Sequence, residues 1–252
     1  PAERKLCADC GEVLAPSHFV VDREARSHME SGLILFRNGQ YKEAIFDFLQ
    51  ALSRDEDLGE AHLYLGRAYL EQGEFGRARE SLERAAGIME TSADPYLALA
   101  DFFQRTDQPD QVIATLHNAL DRDPDDANTR CRLAFLYHER DRVEAALDQY
   151  RQAIDSQPEH LEANRQLGLI LAAADRIDEA IPFLEQACRL DPLDPHTHSL
   201  LARLYTRRRR YSLAQQALRT AIQLDTRDAS LRADLASVYQ AQNQDNLAAQ
   251  EL

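Results

Sequence analysis

Glycine and proline are scarce in this sequence, with nine of each among 252 residues. Disordered chains, and folds that join many short strands by tight turns, use far more of both. Hydrophobic residues make up 44% of the chain, which is enough to build a core. These proportions predict a folded protein and argue against both a disordered chain and a turn-rich all-β domain.

Lysine is almost absent, because Lys5 and Lys42 are the only two in the sequence. The bias towards arginine is typical of a GC-rich genome and favours a bacterial source. The chain has 29 basic and 43 acidic residues, which gives a net charge of −14. A chain of this charge has no general attraction for nucleic acid or anionic lipid, so we predict neither as a partner.

The sequence also lacks an apolar run of about 18 residues, the length that a membrane-spanning helix needs, and we predict no membrane insertion. Its N-terminus has no apolar stretch of the secretory type, and four cysteines in so long a chain do not form a disulfide framework. Both observations favour a cytoplasmic protein. The first residue is Pro1, so we expect a processed chain or a segment of a longer one.

One pattern of residues recurs every 34 positions. The copy that begins at residue 59 contains Leu65, Gly66, Tyr69, Ala78 and Leu82. Related residues follow the same register in seven copies, which begin at 25, 59, 93, 127, 161, 195 and 229. Within each copy the apolar residues are three, four or seven positions apart, as in an amphipathic helix. Each copy therefore predicts two helices that pack through small residues.

Helix breaks fall between these stripes, at Gly39, at Gly73 and at the Asp-Pro pairs 123–124 and 191–192. The residue before a proline avoids helical dihedral angles, so these pairs mark boundaries between copies. Pro182 lies inside a predicted helix, where it removes one backbone hydrogen bond. We expect a local kink there rather than a break.

This two-helix pattern resembles the tetratricopeptide repeat (TPR) over residues 25–252, and residues 1–24 remain as an N-terminal knuckle or linker. The resemblance implies an all-α, right-handed superhelical solenoid of about seven stacked helix–turn–helix repeats, the last one incomplete. The first large aromatic residue of the family pattern is replaced by other side chains, and we expect an open corner there. The replacements are His28, His62, Tyr96, Arg130, Asn164, His198 and Arg232.

In the TPR family the first helix of each repeat lines the concave, partner-binding face. Carried over by position, this face comprises the second, fifth, sixth, ninth, twelfth and thirteenth residues of each copy. From it we predict a partner-binding set of Met29, Leu33, Phe36, Leu63, Arg67, Leu70, Leu97, Arg132, Phe135, Arg165, Arg203 and Arg207. Apolar residues with dispersed arginines suit an extended or helical peptide that carries hydrophobic anchors and some acidic residues.

The same positions hold eight arginines and eight acidic residues, so this face is basic relative to the whole chain. Several of the leucines could equally be core residues, and exposed arginines are usually solvated. The family's clamp for a chaperone C-terminus needs a lysine and asparagines at set positions. Met29, Leu33 and Tyr64 occupy such places here, so that ligand is not predicted.

Cys7 and Cys10, followed by Gly11, are similar to one knuckle of a zinc ribbon. Zinc takes four ligands, and no second Cys-x-x-Cys pair is present. His18 and His28 could complete the set, or a second pair could lie upstream of Pro1. The alternatives are a redox pair, which would need a thioredoxin-like context, and an incomplete knuckle that binds nothing. Zinc is thus the one cofactor that the sequence suggests.

No phosphate-binding glycine loop and no His-Glu-x-x-His motif occurs, and we predict that the protein is not an enzyme. Cys131 and His138 share a helical face, but seven residues separate them by about 10 Å, too far for a nucleophile and its base. Cys188 lies next to a packing stripe and is predicted to be an inert thiol. The run 207–210, four arginines, falls at a predicted turn.

Two functions fit these observations. One is a scaffold or adaptor that binds peptide or protein segments in its concave groove. The alternative is a regulatory or assembly arm of a larger enzyme or secretion complex, joined to a missing domain by the Cys-x-x-Cys knuckle. The last helix, from about Asp245, has nothing after Leu252 to cover its apolar side. We expect a continuation of the parent chain there, or self-association through this end.

Overall fold

The computed structural model describes residues 23–251, which form fourteen α-helices and no strand. These helices divide into two compact units, one up to Asp123 and one from Pro124. The first unit contains α1 Arg23–Arg37, α2 Tyr41–Arg54, α3 Gly59–Glu71, α4 Phe75–Ile88, α5 Asp94–Arg105 and α6 Pro109–Leu120. The second contains α7 Ala127–Glu139, α8 Val143–Ser156, α9 Leu161–Ala173, α10 Ile177–Leu190, α11 Pro195–Arg207, α12 Tyr211–Leu224, α13 Ala229–Ala241 and α14 Asp245–Glu251. The predicted all-α fold is confirmed.

Consecutive helices pair into hairpins, and the core inside each hairpin repeats with the sequence period. A small or medium-sized residue at one position of the second helix is buried in every copy. The set is Ala44, Ala78, Val112, Ala146, Ala180, Ala214 and Ala248. Four residues later a large side chain fills the space between the two helices: Phe48, Leu82, Leu116, Tyr150, Leu184 and Leu218, each at most 2% exposed.

Glycine lets the helices of some hairpins approach closely. A Cβ atom on Gly66 would lie 2.6 Å from Cγ of Leu82, and one on Gly168 would lie 2.6 Å from Cγ of Leu184. These separations are far below van der Waals contact, so a larger side chain at either position must displace the facing leucine. The absence of a side chain therefore sets the distance between the two helices.

The turn inside each hairpin uses one residue in the left-handed conformation. In the first two copies this residue is Gly39 or Gly73, each with φ of 75°. In the later copies it is a non-glycine residue, namely Asp107, Asp141, Asp175, Arg209 or Asn243, with φ between 54° and 62°. Asparagine and aspartate tolerate this region better than other residues that have a Cβ atom, so Arg209 is the least suited of the set.

The corner that was expected to be open is closed by hydrogen bonds. In four copies the side chain that replaces the aromatic residue bonds the backbone carbonyl six residues before it. The pairs are His62 with Glu56, Arg130 with Pro124, Asn164 with Pro158 and His198 with Pro192, at 2.7–3.1 Å. In another copy Tyr96 accepts a bond from Arg122, which itself donates to the carbonyl of Glu90.

In the second unit, each first helix is preceded by a residue whose side chain caps the helix. Asp126, His160, Asp194 and Asp228 precede α7, α9, α11 and α13, and each accepts a bond from a backbone N–H in the first turn. In the first unit Leu58 before α3 and Ala93 before α5 offer no side-chain bond, but the Ser92 hydroxyl accepts the backbone N–H of Asp94, the first residue of α5. Pro182 lies within α10, which is continuous from Ile177 to Leu190, so the proline does not break the helix.

Candidate functional site

The first helices of the first unit form a groove. Its lining residues come from α1, α3 and α5, and all lie on the helices assigned to the concave face by the sequence. They are Phe36, Arg67, Leu70, Glu71, Ala98, Asp101, Gln104 and Arg105, around a cavity of about 370 Å³. The cavity combines an apolar floor with a rim that carries both charges, so it can hold an apolar side chain and bond the backbone beside it.

Aromatic contacts fix one wall of this groove. The ring of Phe36 meets Tyr41 at 5.3 Å and Tyr64 at 5.7 Å between centroids, both in edge-on geometry. The guanidinium of Arg67 lies over the ring of Tyr64 at 5.4 Å. Edge-on pairs and cation–π contacts restrict the rotamers of the rings that they join. Phe36 and Arg67 are thus held in place before any ligand arrives.

The predicted apolar residues do not all reach the surface. Met29, Leu63 and Leu70 are 5%, 3% and 6% exposed, so most of their surface packs inside the fold. Leu33 and Leu97 are half-buried. Within the predicted set, Leu70, Phe36 and Arg67 are brought together at the groove, and no other member of the set is among its lining residues.

In the second unit, two apolar side chains project from equivalent positions of α7 and α9. Phe135 is 51% exposed and Leu169 is 38% exposed, and both are the ninth residue of their copy. A smaller cavity of about 190 Å³ lies beside α11, lined by Pro195, His196, Ser199, Leu200, Arg203, Asp225, Asp228, Ser230 and Leu231. This unit therefore presents apolar side chains on open helix faces rather than in a deep groove.

Most of the predicted arginines bond carboxylates on neighbouring elements. Arg203 bonds Asp234 at 2.8 Å, and Arg207 bonds Asp175 at 2.5 Å. Arg165 bonds Glu162 on its own helix and approaches Asp194 at 3.9 Å. In the first unit Arg105 bonds Glu71 at 2.6 Å. Arg132 is half-buried and has a partner of its own. The sequence placed Glu71, Glu162 and Asp234 on the same face as the arginines, but it did not predict these pairs. Asp175 and Asp194 were not among the predicted face residues.

The carboxylate of Asp194 illustrates how this surface is stabilised. Burial acts to raise its pKa, but bonds from the Thr197 hydroxyl and from the backbone N–H groups of His196 and Thr197, together with Arg165, lower it overall. Asp194 is thus a helix cap and an ion-pair partner at the same time. A ligand that took Arg165 away from Asp194 would leave the cap in place.

The structure places a histidine other than His138 beside Cys131. Nδ1 of His160 lies 3.8 Å from Sγ of Cys131 and accepts the backbone N–H of Ala163 at 3.1 Å, while Nε2 donates to Asn128. Burial first, and then Glu162 and Asp126, raise the pKa of the Cys131 thiol to about 12. The thiol is therefore protonated at neutral pH and is a poor nucleophile. Burial likewise raises the pKa of Cys188 to about 12.

Three of the four predicted zinc ligands, Cys7, Cys10 and His18, lie outside the described residues. His28 is described, and its Nδ1 lies 3.4 Å from Oδ1 of Asp47. Metal-bound histidines commonly make such a second contact, so His28 fits a ligand that would use Nε2. Within residues 23–251 no three side chains of the metal-binding types come together.

Comparison with known families agrees with the geometry of the hairpins. Two tetratricopeptide-repeat models match the sequence, one over residues 29–96 and 131–195 and the other over residues 71–128. The first alone covers more than half of the chain. The chain belongs to the tetratricopeptide-repeat family. Its fourteen described helices thus form seven TPR hairpins. The half zinc ribbon suggested by the Cys-x-x-Cys pair has no support from these matches.

Solved structures of other TPR proteins resemble this one. PilF of Pseudomonas aeruginosa shares 25% identity at a TM-score of 0.55, over 79% of this chain and 90% of that one. YrrB, described as a TPR protein with an unusual peptide-binding site, shares 19% at 0.53, over 67% and 87%. A TPR protein from Parabacteroides merdae shares 14% at 0.59, over 90% of each chain.

A search of curated proteins found no match. Within residues 23–251, no helix has the length and apolar character needed to cross a lipid bilayer.

Proposed function

We propose that this TPR protein is a non-catalytic cytoplasmic scaffold or adaptor, and that it binds protein segments on its first helices. The groove of the first unit supports this proposal most directly. Its lining comes wholly from first helices, and its aromatic wall is already packed in place. A site that is ordered before binding loses less entropy when the ligand docks.

The ligand that fits best is a peptide with apolar anchors. The arginines at first-helix positions bond carboxylates of this chain, so a ligand acid must compete with those pairs. Exposed ion pairs contribute only about 0–1 kcal/mol each, which makes the exchange nearly neutral. Apolar contacts with Phe36, Phe135 and Leu169 therefore supply most of the affinity. YrrB, with its peptide-binding site, shows that a related fold can carry such a function.

A displayed library of random peptides, selected on the whole chain, tests this proposal. Selected peptides should bind the unaltered protein and carry large apolar residues. Phe135→Glu combined with Leu169→Glu should weaken the peptides that use the second unit by roughly tenfold or more, about 1.4 kcal/mol. Phe36→Ala should act in the same way on the peptides that use the groove. Affinity is measured by fluorescence anisotropy.

Leu193→Glu combined with Leu213→Glu is the matched control. Leu193 lies in the α10–α11 turn and Leu213 on a second helix, and they are 74% and 40% exposed. Neither belongs to the first-helix face, so this variant should bind as the unaltered chain does. Equal losses in the control and in the face variants would contradict the proposed site. A selection that yields no peptide at all would argue against peptide binding.

We also propose that Cys7 and Cys10 bind zinc, with His18 and His28 as the candidates that complete the set. The contact between His28 and Asp47 is the structural support, because it orients the imidazole. Elemental analysis of protein purified without added metal, with its thiols shown to be reduced, is the test. About one zinc per chain is expected for a four-ligand site, and a Cys7→Ser variant should lose it. Protein free of zinc would contradict the proposal.

A further inference from the structure

The second helix of the first repeat carries exposed apolar side chains on its outer surface. Phe46 is 62% exposed and Leu49 is 44% exposed, and they lie three residues apart on α2. Ile34 on α1 is 61% exposed. Ile34 corresponds to Ala68, which is buried, so it belongs to the edge of α1 rather than to the outer surface of α2. Phe46 and Leu49 share one side of α2, and we call these two residues the outer patch.

Later repeats do not have this feature. The residues that correspond to Phe46 are Glu80, Ala114, Asp148, Pro182 and Gln216, and all are exposed. Those that correspond to Leu49 are Glu83, His117, Arg151, Glu185 and Arg219. The TPR fold therefore does not need apolar residues here. An exposed phenylalanine and leucine where other copies are mostly polar indicate a contact that is specific to the first repeat.

The free edge of α1 is not built to receive another repeat. In the later copies two positions of the first helix are buried against the preceding hairpin, for example Ala61 and Leu65. In α1 the same positions hold Ser27 and Ser31, both exposed. A preceding TPR hairpin would bury these hydroxyl groups. The polar edge with one apolar residue, Ile34, favours a short covering segment instead.

The start of α1 is held beside the end of α2, the helix that carries the outer patch. Glu24, at the start of α1, pairs with Arg54, at the end of α2, at 2.9 Å. Leu49 lies five residues before Arg54, which is about 7.5 Å along the helix, and Phe46 lies about 12 Å away. Residues just before Arg23 are therefore attached within reach of both side chains.

Residues 13–21 have the composition that such a contact requires. The run Val-Leu-Ala-Pro-Ser-His-Phe-Val-Val contains no acidic residue, lysine or arginine, and it ends with Phe19, Val20 and Val21, shortly before α1 begins at Arg23. Nine residues can span up to about 30 Å, which exceeds the distance of about 12 Å that separates Arg54 from Phe46 along α2. A segment tethered this closely has an effective concentration in the millimolar range, which favours it over a separate molecule.

We propose that residues 13–21 dock on the outer patch, with Phe19, Val20 and Val21 against Phe46 and Leu49. The contact would cover the exposed apolar surface of the first repeat and tie the Cys-x-x-Cys segment to its outer side. The docking surface lies mainly on α2 and is separate from the first-helix groove, so it leaves the peptide site of the first unit open.

The sequence contains no tryptophan, so a single introduced indole reports on the patch. The Phe46→Trp variant places this reporter under the proposed cover in the full chain. The Gln216→Trp variant, changed at the corresponding position of α12, is the matched exposed control. We expect the Phe46→Trp variant to emit at shorter wavelength than the Gln216→Trp variant and to be quenched several-fold less by acrylamide. Changing Phe19, Val20 and Val21 together to serine in the Phe46→Trp variant should abolish both differences.

Several results would overturn the proposal. The indole of the Phe46→Trp variant could be as accessible as that of the Gln216→Trp variant in the full chain, or its protection could survive the three serine changes. Protection that rises with protein concentration would assign the patch to a second copy, as in end-to-end association. Leu49→Trp repeats the measurement if Phe46→Trp lowers helix content by circular dichroism. The three serine changes should leave the helix content unaltered, which separates lost docking from unfolding.

Discussion

The two units use the same hairpin but begin their first helices differently. All four first helices of the second unit have a side-chain cap, and Asp194 and Asp228 have pKa values below the usual range for aspartate because hydrogen bonds favour the ionised form. In the first unit Leu58 supplies no such bond before α3, whereas before α5 the Ser92 hydroxyl accepts the backbone N–H of Asp94. The comparison shows that the core can build a TPR hairpin without a cap, so the cap adds stability rather than specifying the fold.

The exposed faces of the first helices differ as well. The first unit gathers aromatic rings and a mixed-charge rim around one groove. The second unit presents separate apolar side chains on α7 and α9, and on α11 it presents arginines that already pair with carboxylates of this chain. The two units thus share the same core positions but differ in the exposed residues of their first helices, because those residues do not contribute to the hairpin core. Substitutions in each unit can separate the shared core from these differences.

The largest effects should come from the shared core and should be alike in both units. Gly66→Val in the first unit and Gly168→Val in the second each place a branched side chain where even a Cβ atom alone would lie 2.6 Å from a leucine. Each variant should lose about 1–3 kcal/mol of unfolding free energy. Urea denaturation followed by circular dichroism measures the loss. Native-state hydrogen exchange should place it in the hairpin that carries the change.

Gly87→Val is the control, because nothing lies within 4 Å of a Cβ atom at that position of α4. It should change stability by no more than about 0.5 kcal/mol. If Gly66→Val were harmless while Gly168→Val destabilised, the close approach would not be a common feature of the two units.

A smaller effect should distinguish the units at their caps. Asp194→Ala removes the acceptor for the backbone N–H of His196 and should cost about 1 kcal/mol. Asp194→Asn keeps an acceptor and removes the charge, so it should cost less. Hydrogen exchange in the first turn of α11 reports both losses. If the two variants lost equal amounts, the charge and not the cap would be the source of stability.

Lowering the pH should remove part of the stability that the Asp194 cap contributes. The pKa of Asp194 is lower in the folded chain than in the unfolded chain, where it is about 3.9. Its contribution is therefore complete above that value and is lost as the pH falls through the folded pKa. The stability difference between the unaltered chain and Asp194→Ala should shrink below about pH 4. A difference that stays constant down to about pH 2 would contradict this linkage.

Period and residue size were sufficient to predict the hairpins. Gly66 and Leu82 show why, because a small residue faces a large one across the hairpin and the same pairing recurs, for example at Gly168 and Leu184. The corner hydrogen bonds were missed. Whether Asn164 reaches the carbonyl of Pro158 depends on the path of the loop between repeats, which a helical period does not encode.

The candidate site was predictable in position but not in exposure. Phe36 and Leu63 belong to the same set of first-helix positions, yet only Phe36 lines the groove. A side chain at the edge of an amphipathic stripe can turn towards the core or the solvent, and the adjacent repeat decides which. The partners of Arg203 and Arg207 depend in the same way on side chains about 30 residues away in the sequence.

The smallest effect concerns the turns, where the units also differ. Arg209 adopts a φ of 56°, whereas Gly73 occupies the same place in the first unit with φ of 75°. A residue with a Cβ atom is strained in this region, and glycine is not. Arg209→Gly should therefore raise stability by about 0.5–1 kcal/mol, since the relief of strain exceeds the added freedom of the unfolded chain. Gly73→Ala should lower stability by a similar amount, about 1 kcal/mol. Hydrogen exchange of the amides at the end of α11 and the start of α12 measures the effect of Arg209→Gly. Hydrogen exchange of the amides around the α3–α4 turn measures the effect of Gly73→Ala. A loss of stability in Arg209→Gly would mean that contacts of the arginine side chain outweigh the backbone strain.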